Sequence, residues 1–321
     1  MQRKALLLIN ESSGAAARRG ATEIVELAAA ALAAAGLDFD VATGSAAELI
    51  AVARRARTLR DIVVCAGGDG TVACVAGALA GSPCALLPLP CGTMNLFCRD
   101  LGLPADLGDA LRSGLNGEPA FVDVARCGRR VFLNNVVFGV FAEIAEARED
   151  LRAAATIGEA GSAIVAGAGA FLRSESTTYA VRINRRTLEL TTNALTISNN
   201  AITSAEGISP LRARLDEGFL SVYLAEGESA ADFAGMLAAF VAGDPERAQT
   251  VNHQRARHCT VGADRPMRFT IDGDPVEERG PVTFSIRRQA LKVLRPRSIE
   301  ATSTKKASEE TQVAGAAGMP E

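Results

Sequence analysis

Two short stretches of the chain carry the residue types from which phosphate chemistry is built. The first is Gly67-Gly68-Asp69-Gly70-Thr71, and the second is Pro90-Cys91-Gly92-Thr93-Met94-Asn95. Turns without side chains let backbone N–H groups approach phosphate oxygens, and a helix that starts at such a turn adds partial positive charge. A lone carboxylate, Asp69, would repel bare phosphate. It has a place there if a hard cation such as Mg2+ lies between them, directly or through water. One Gly-Gly-Asp-Gly is also an ordinary strand-to-helix turn with the carboxylate at its cap. The second glycine turn, after the next strand, tips the balance toward phosphate.

The elements that must hold these turns are legible around them. Residues 62–66 form an apolar run too short for a helix and β-branched enough for a buried strand. Residues 72–80 read as a helix ending at Gly81, and 85–89 as the next strand, leading into the second turn. Upstream, residues 5–9 read as a strand that ends in Asn10-Glu11-Ser12-Ser13-Gly14. A helix over 18–35 closes at Gly36, followed by a strand at 38–42 and a helix at 46–58. This β-α-β-α-β-α order predicts a parallel sheet covered by helices, with ligands at the carboxyl ends of its strands.

A helix over 107–115 and a strand over 121–125 come next. Asp123 lies inside that apolar strand, where an unpaired carboxylate costs several kcal/mol. It either pairs with Arg126, Arg129 or Arg130 or faces the cleft. The pattern then changes. Residues 131–141 are strand-like, and 142–173 form an Ala/Gly-rich helical region read as a packing element whose apolar surface could also guide an acyl chain. Short alternating strands follow at 179–184, 188–198, 220–225 and 268–272, interrupted by a helix at 230–241. The expected fold is therefore α/β: a doubly wound parallel-sheet nucleotide-binding domain over 1–123, then a β-rich, sandwich-like domain over 124–297. The tail, 298–321, lacks apolar periodicity and is expected to be disordered.

The two glycine motifs together resemble the catalytic domain of diacylglycerol kinases, shared with sphingosine kinases, ceramide kinases and bacterial lipid kinases. The first motif also occurs in NAD kinases. The Gly92-Thr93-Met94-Asn95 turn, running into Leu96-Phe97-Cys98-Arg99-Asp100-Leu101-Gly102-Leu103-Pro104, is more specific to lipid kinases. The resemblance extends from about Leu6 to Pro296. It implies that the turns holding Asn10, Ser13, Gly14, Gly67, Gly68, Gly70, Thr71, Gly92, Thr93 and Asn95 bind the nucleotide, with ATP and Mg2+ as cofactors. It further implies that Asp69 and Asp123 organise the metal and that Asp274, in Asp272-Gly273-Asp274, is the general base. By itself Asp272-Gly273-Asp274 reads as a hairpin turn. Leu215-Asp216-Glu217-Gly218 resembles a turn at which some bacterial members hold a structural Mg2+, which would place that ion at Asp216, although Glu217 stands where that turn has a second aspartate; an ordinary hairpin turn is the favoured reading.

Four positions depart from the family pattern. Glu11 replaces a proline, Leu96 replaces an aspartate, Glu217 replaces the second aspartate of the 215–218 turn, and Asp274 replaces a glutamate one methylene longer. The last shortens the base's reach by roughly 1.5 Å, about one C–C bond.

Composition narrows the classes. The chain has 321 residues, 48% hydrophobic and 22% charged, enough for two domains and a sizeable core. A net charge of -3 argues against nucleic acid as a partner. Seven cysteines, without a Cys-x-x-Cys pair, read as buried thiols in a reducing compartment. His253 and His258 read as surface residues. Gly167-Ala168-Gly169 lacks the third glycine of a dinucleotide fingerprint, and there is no Walker lysine. Residues 70–98 contain no charge, but prolines and glycine turns break them, so they read as sheet core and not a membrane span.

The resemblance therefore implies a cytoplasmic enzyme, with membrane contact only peripheral, that transfers a phosphoryl group from ATP to a lipid hydroxyl such as that of diacylglycerol; a homodimer is left open. Two other readings stand beside it. One is a kinase of the NAD kinase-like superfold acting on a soluble alcohol, and the other is a nucleotide- or lipid-binding protein without catalysis.

Overall fold

A computed structural model describes residues 3–13, 20–139, 176–192, 194–206, 209–225, 232, 235 and 251–297. The predicted helices at 142–173 and 230–241 and the tail at 298–321 lie outside, apart from Asp232 and Gly235. The first half alternates as expected: β1 (Arg3–Asn10), α1 (Ala21–Ala34), β2 (Leu37–Gly44), α2 (Ala46–Ala56), β3 (Ile62–Gly67), α3 (Asp69–Leu79), β4 (Ala85–Pro90), α4 (Leu96–Asp100) and α5 (Leu107–Leu115). The strands pair in parallel in the order β2-β1-β3-β4. β3 is buried along its whole length because helices cover both faces of the sheet. α1 shows the helical signature behind this packing: Ile24, Ala28 and Leu32, four residues apart, form its buried stripe.

The second half is antiparallel. β5 (Glu118–Cys127), β6 (Arg130–Phe132) and β7 (Asn135–Gly139) lead into β8 (Thr177–Ile183), β9 (Arg186–Thr192) and β10 (Ala194–Asn199). Then come β11 (Ser204–Glu206), β12 (Ser209–Leu211), β13 (Leu220–Ala225), β14 (Val251–Ala256), β15 (His258–Ala263), β16 (Met267–Ile271), β17 (Asp274–Glu278) and β18 (Val282–Arg295). One sheet runs β14-β13-β10-β7-β16-β17. It faces β5, β8, β15 and β18 to form a sandwich. Phe138 of β7 sits between the layers, stacked on Phe269 at 4.6 Å and edge-on to Phe284 of β18 at 6.2 Å between centroids.

The two cores are stitched by two strands that serve both. In β5, Val122 and Val124 belong to the first core, while Ala125 and Cys127 belong to the second. β18 repeats this from the far end of the chain. Phe284 and Ile286 pack in the sandwich; after a register shift between Arg287 and Leu291, Leu291, Val293 and Leu294 join the first core. Val293 pairs with Leu86 of β4, so the last strand also extends the parallel sheet.

Candidate active site

The carboxyl ends of β1, β3 and β4 carry the three glycine- and serine-bearing turns, and these turns are in contact. The Asn10 amide donates to Thr71 Oγ1 at 2.7 Å, tying the first turn to the second. The Ser13 hydroxyl and amide both donate to the Asn10 carbonyl, at 2.8 and 3.0 Å, and close the first turn. The two glycine motifs touch backbone to backbone: a Cβ on Gly92 would lie 2.6 Å from Gly68 Cα. No side chain fits at Gly92, whereas a Cβ on Gly68 would lie 3.6 Å from Gly92 Cα, at ordinary contact. Asn95 adopts a left-handed conformation, φ 50°; its Oδ1 accepts from Gly92 N–H at 2.7 Å and its amide donates to Gly92 O at 3.1 Å. Asn95 therefore shapes the turn. Gly14 lies outside the described residues.

Asp69 opens α3 and reaches across to the second turn, where its Oδ1 accepts from Phe97 N–H at 3.2 Å. Burial pushes its carboxyl upward, against the pull of the Phe97, Leu96 and Asn95 amides. An anion is thus held at the seam between the two glycine turns by the start of α4.

Asp274 arrives from the opposite end of the chain. β16 and β17 form a hairpin whose two loop residues, Asp272 (φ 49°) and Gly273 (φ 93°), have the left-handed conformations of a type I′ turn. This turn puts Asp274 against α3: a Cβ on Gly70 would lie 2.6 Å from Asp274 Oδ2. Packing against α3 partly desolvates the carboxyl of Asp274, a residue otherwise exposed, and raises it above its ordinary value, while Arg130 opposes the shift.

The hairpin is aimed by a residue that the sequence reading passed over. Asp272 accepts from Leu133 N–H at 2.8 Å, Asn134 N–H at 2.9 Å and Asn135 N–H at 3.0 Å, clamping the turn to the β6–β7 junction. Burial pushes its carboxyl up to about 7 despite these amides. A second missed element is the buried ion pair of Arg212 with Asp100 at the end of α4. Arg212 also donates to the carbonyls of Leu133 and Asn199, so it fastens the second glycine turn to the sandwich. The Asp-Gly pair was a visible turn signal. Arg212 gave none, because its partners lie 112, 79 and 13 residues away.

One expectation is corrected here. Asp123 does not face the cleft, nor does it pair with a neighbouring arginine. Its Oδ1 accepts from Gln289 N–H at 2.7 Å and its Oδ2 from Gly218 N–H at 2.6 Å. Both oxygens serve to pin the β18 bulge to the 215–218 turn, where Gln289 has φ 45°. Asp216, for which an ordinary turn is the favoured reading over a structural ion, is bonded to Arg214 at 3.1 Å, and Glu217 caps Ala201 N–H at 2.9 Å. Among the described residues no group of three or more His, Cys, Asp or Glu could hold a metal ion. The histidines also differ from expectation: His258 is exposed, but His253 is half-buried and stacks on Tyr223 at 4.7 Å. All seven cysteines are free, and six are buried. Cys74 is the exception, exposed on the face of α3 that looks toward Asp274.

A cleft of about 420 Å³ begins at Gly70 and Asp274 and runs along α3, floored by Ala73, Cys74 and Gly77. The β5–β6 hairpin approaches α3 so closely here that a Cβ on Gly77 would lie 2.8 Å from Val131 Cγ2. The arrangement is a parallel-sheet domain whose glycine turns face a carboxylate delivered by a sandwich.

Comparison with known proteins gives the family. Residues 4–127 match the model of the diacylglycerol kinase catalytic domain. Residues 134–295 match that of the YegS C-terminal NAD kinase beta sandwich-like domain. The chain belongs to the family of bacterial lipid kinases that joins these two domains. A diacylglycerol kinase of Staphylococcus saprophyticus is 24% identical over 245 residues, covering 75% of this chain and 78% of the relative. A protein of Klebsiella pneumoniae named "Probable lipid kinase YegS-like" is 39% identical over 98 residues, 29% of this chain and 33% of the relative. The crystal structure of a diacylglycerol kinase from Bacillus anthracis superposes with a TM-score of 0.69 at 17% identity, over 91% of this chain and 97% of that one; at that identity it speaks for the fold. Among the described residues no helix is long and apolar enough to cross a membrane.

Proposed function

We propose that this protein transfers the terminal phosphoryl group of ATP, or of a related nucleotide, to the hydroxyl of a membrane lipid, with diacylglycerol the leading acceptor. The observation that carries the reading is the contact between the Asp274 carboxylate and Gly70, beside two glycine turns that themselves touch. Phosphoryl transfer needs little covalent help from the protein; it needs positioning and charge neutralisation. The backbone amides of the turns after β1, β3 and β4 hold the phosphates. Asp274 accepts the proton of the lipid hydroxyl, and its raised pKa brings it closer to the range in which a general base works at neutral pH.

If Mg2+ binds, Asp69, beside both glycine turns, would hold it together with substrate phosphates and water, as such ions are held by one or two carboxylates. Its contribution when bound is to neutralise phosphate charge. Asp123 acts at one remove, by holding the bulge and the 215–218 turn. The acceptor sits in a bilayer, so the protein works as a peripheral membrane enzyme on the cytoplasmic face.

The test is an acceptor panel with labelled ATP, with and without Mg2+: diacylglycerol and a sphingoid base in mixed micelles against NAD in solution. The expected result is Mg2+-dependent label in the lipid fraction. Label only in the soluble acceptor, or ATP binding without turnover, would overturn the proposal.

A further inference from the structure

The cleft along α3 begins where the phosphate-binding turns end. Of the residues in those turns it is lined only by Gly70, with Asp274 beside it, so it lies on the side of the base from which the acceptor comes. A neutral alcohol calls for no positive charge there. Yet the described lining carries five arginines: Arg54 from α2, Arg126, Arg129 and Arg130 from the β5–β6 hairpin, and Arg287 from β18. The whole chain has a net charge of -3, so this concentration is local. Only two carboxylates, Asp272 and Asp274, oppose the arginines. None of the five forms an ion pair among the described residues, and Arg126 is bonded only to the Arg129 carbonyl, at 3.4 Å. Converging guanidinium groups without counter-charges focus a positive potential in the cleft. Two structural devices bring them together: the close approach of the hairpin to α3 at Gly77, and the register shift of β18 just after Arg287.

The reaction itself creates an anion on this side of the base. The donor's terminal phosphorus forms a bond to the acceptor oxygen as its bond to the bridging anhydride oxygen breaks. The hydroxyl proton passes to Asp274, and the shortened donor departs as an anion. The acceptor arrives neutral and leaves as a phosphomonoester with about two negative charges. Asp274, once protonated, no longer repels it. Arg130, whose charge acts on both Asp274 and Cys74, stands at this end of the cleft. Guanidinium pairs bidentately with phosphate oxygens. The rest of the lining is small or aliphatic, with no aromatic ring and no Ser, Thr, Asn, Gln, Tyr or His among the described residues to read a base or a sugar. The volume, about 420 Å³, is within the range of small-molecule sites.

We propose that this cleft is a product site: Arg129 and Arg130 hold the phosphomonoester of the newly phosphorylated lipid, and product bound there keeps the next acceptor from Asp274. The inference rests on the kinase reading for the origin of the phosphate, but binding itself does not depend on it. The enzyme is thereby inhibited by what it makes. A phosphomonoester offers the arginines the same chemistry on a lipid or on free glycerol 3-phosphate.

The test is calorimetric titration of the full chain with dihexanoyl phosphatidate, a water-soluble lipid phosphomonoester, and with dihexanoylglycerol, the same lipid without phosphate. The wild type is expected to bind the phosphatidate at least ten-fold more tightly, with affinity that falls as salt rises. Arg129→Gln with Arg130→Gln should weaken phosphatidate binding about 100-fold, roughly ten-fold for each charged contact removed, and leave dihexanoylglycerol unaffected. Arg55→Gln with Arg182→Gln, off the cleft, should change neither. All four side chains are exposed, so melting curves should match the wild type and exclude misfolding as the cause. Cys74 gives the location: it is the one exposed cysteine of the seven and lines the cleft, so bound phosphatidate should slow its alkylation. In the lipid assay, added phosphatidate should inhibit in competition with diacylglycerol. Equal binding by the cleft variant, unchanged alkylation of Cys74, or competition with ATP in place of diacylglycerol would overturn the proposal. Glycerol 3-phosphate binding with the same arginine dependence marks the phosphate alone as what is read, and phosphatidate binding alone marks the lipid ester; both support the site. Arginine-dependent binding with no transfer to any acceptor would sink the kinase reading and leave the site standing. Transfer without arginine-dependent binding would do the reverse.

Discussion

Replacing Gly70 by alanine separates two effects that usually move together. The position is in the first turn of α3 and has no left-handed φ, so alanine is compatible with its backbone. Alanine also favours helix, by up to about 1 kcal/mol over glycine. The new methyl, however, would stand 2.6 Å from Asp274 Oδ2, where ordinary contact begins at 3.4 Å. The carboxylate must therefore retreat by the difference, 3.4 minus 2.6, or 0.8 Å. It can do so cheaply, because Asp274 is exposed and its side chain can turn. Misplacing a catalytic group by about 1 Å costs on the order of 100-fold in rate. Gly70→Ala should thus melt at or slightly above the wild-type temperature while kcat falls about 10- to 100-fold. Thermal melting and initial rates on the same preparation read both. A variant with wild-type kcat would refute the claim that the Asp274–Gly70 contact sets the reaction geometry.

Asp274→Glu should lower activity as well, since the longer side chain drives into the same turn of α3; higher activity in a rate assay would contradict the fit derived from Gly70. Arg212→Met leaves the Asp100 carboxylate buried without its partner and should cost roughly 3–5 kcal/mol in denaturant unfolding. Burial pushes the Asp272 carboxyl up to about 7, above the ordinary aspartate value of 3.8. The folded state therefore binds the extra proton, and this contribution to stability is complete below about pH 4 and lost as pH rises to about 7. Asp272→Asn should flatten that part of the stability–pH curve, and an unchanged slope would show the carboxyl to be ordinary. Asp123→Asn should lower the melting temperature without shifting the Mg2+ concentration for half-maximal rate; a shifted Mg2+ requirement would return Asp123 to the metal site.

Periodicity and glycine punctuation were enough to read the first half. The run at 62–66, the turn at Gly67–Gly70 and the helix behind it are adjacent in sequence, and so are the forces that shape them. The predicted helix over 107–115 coincides with α5. The second half was read less well. The strand predicted over 131–141 breaks at Leu133 and Asn134, because the amides of Leu133–Asn135 turn toward Asp272 instead of continuing the ladder. β18 was not anticipated, although it joins both cores, because its apolar positions switch faces at the bulge after Arg287. The same limit applies to the site. Asp69 and the glycines announce themselves locally. The structural work of Asp123 depends on amides 95 and 166 residues away, and no spacing rule reaches that far.

The central claim is that Asp274 serves the chemistry performed at the glycine turns. Its most direct test is the rate of phosphoryl transfer from labelled ATP to diacylglycerol in mixed micelles, wild type against Asp274→Asn, with ATP affinity measured on both. Loss of about 100-fold or more in kcat with nucleotide affinity retained is the predicted result; a kcat within a few-fold of the wild type would contradict it.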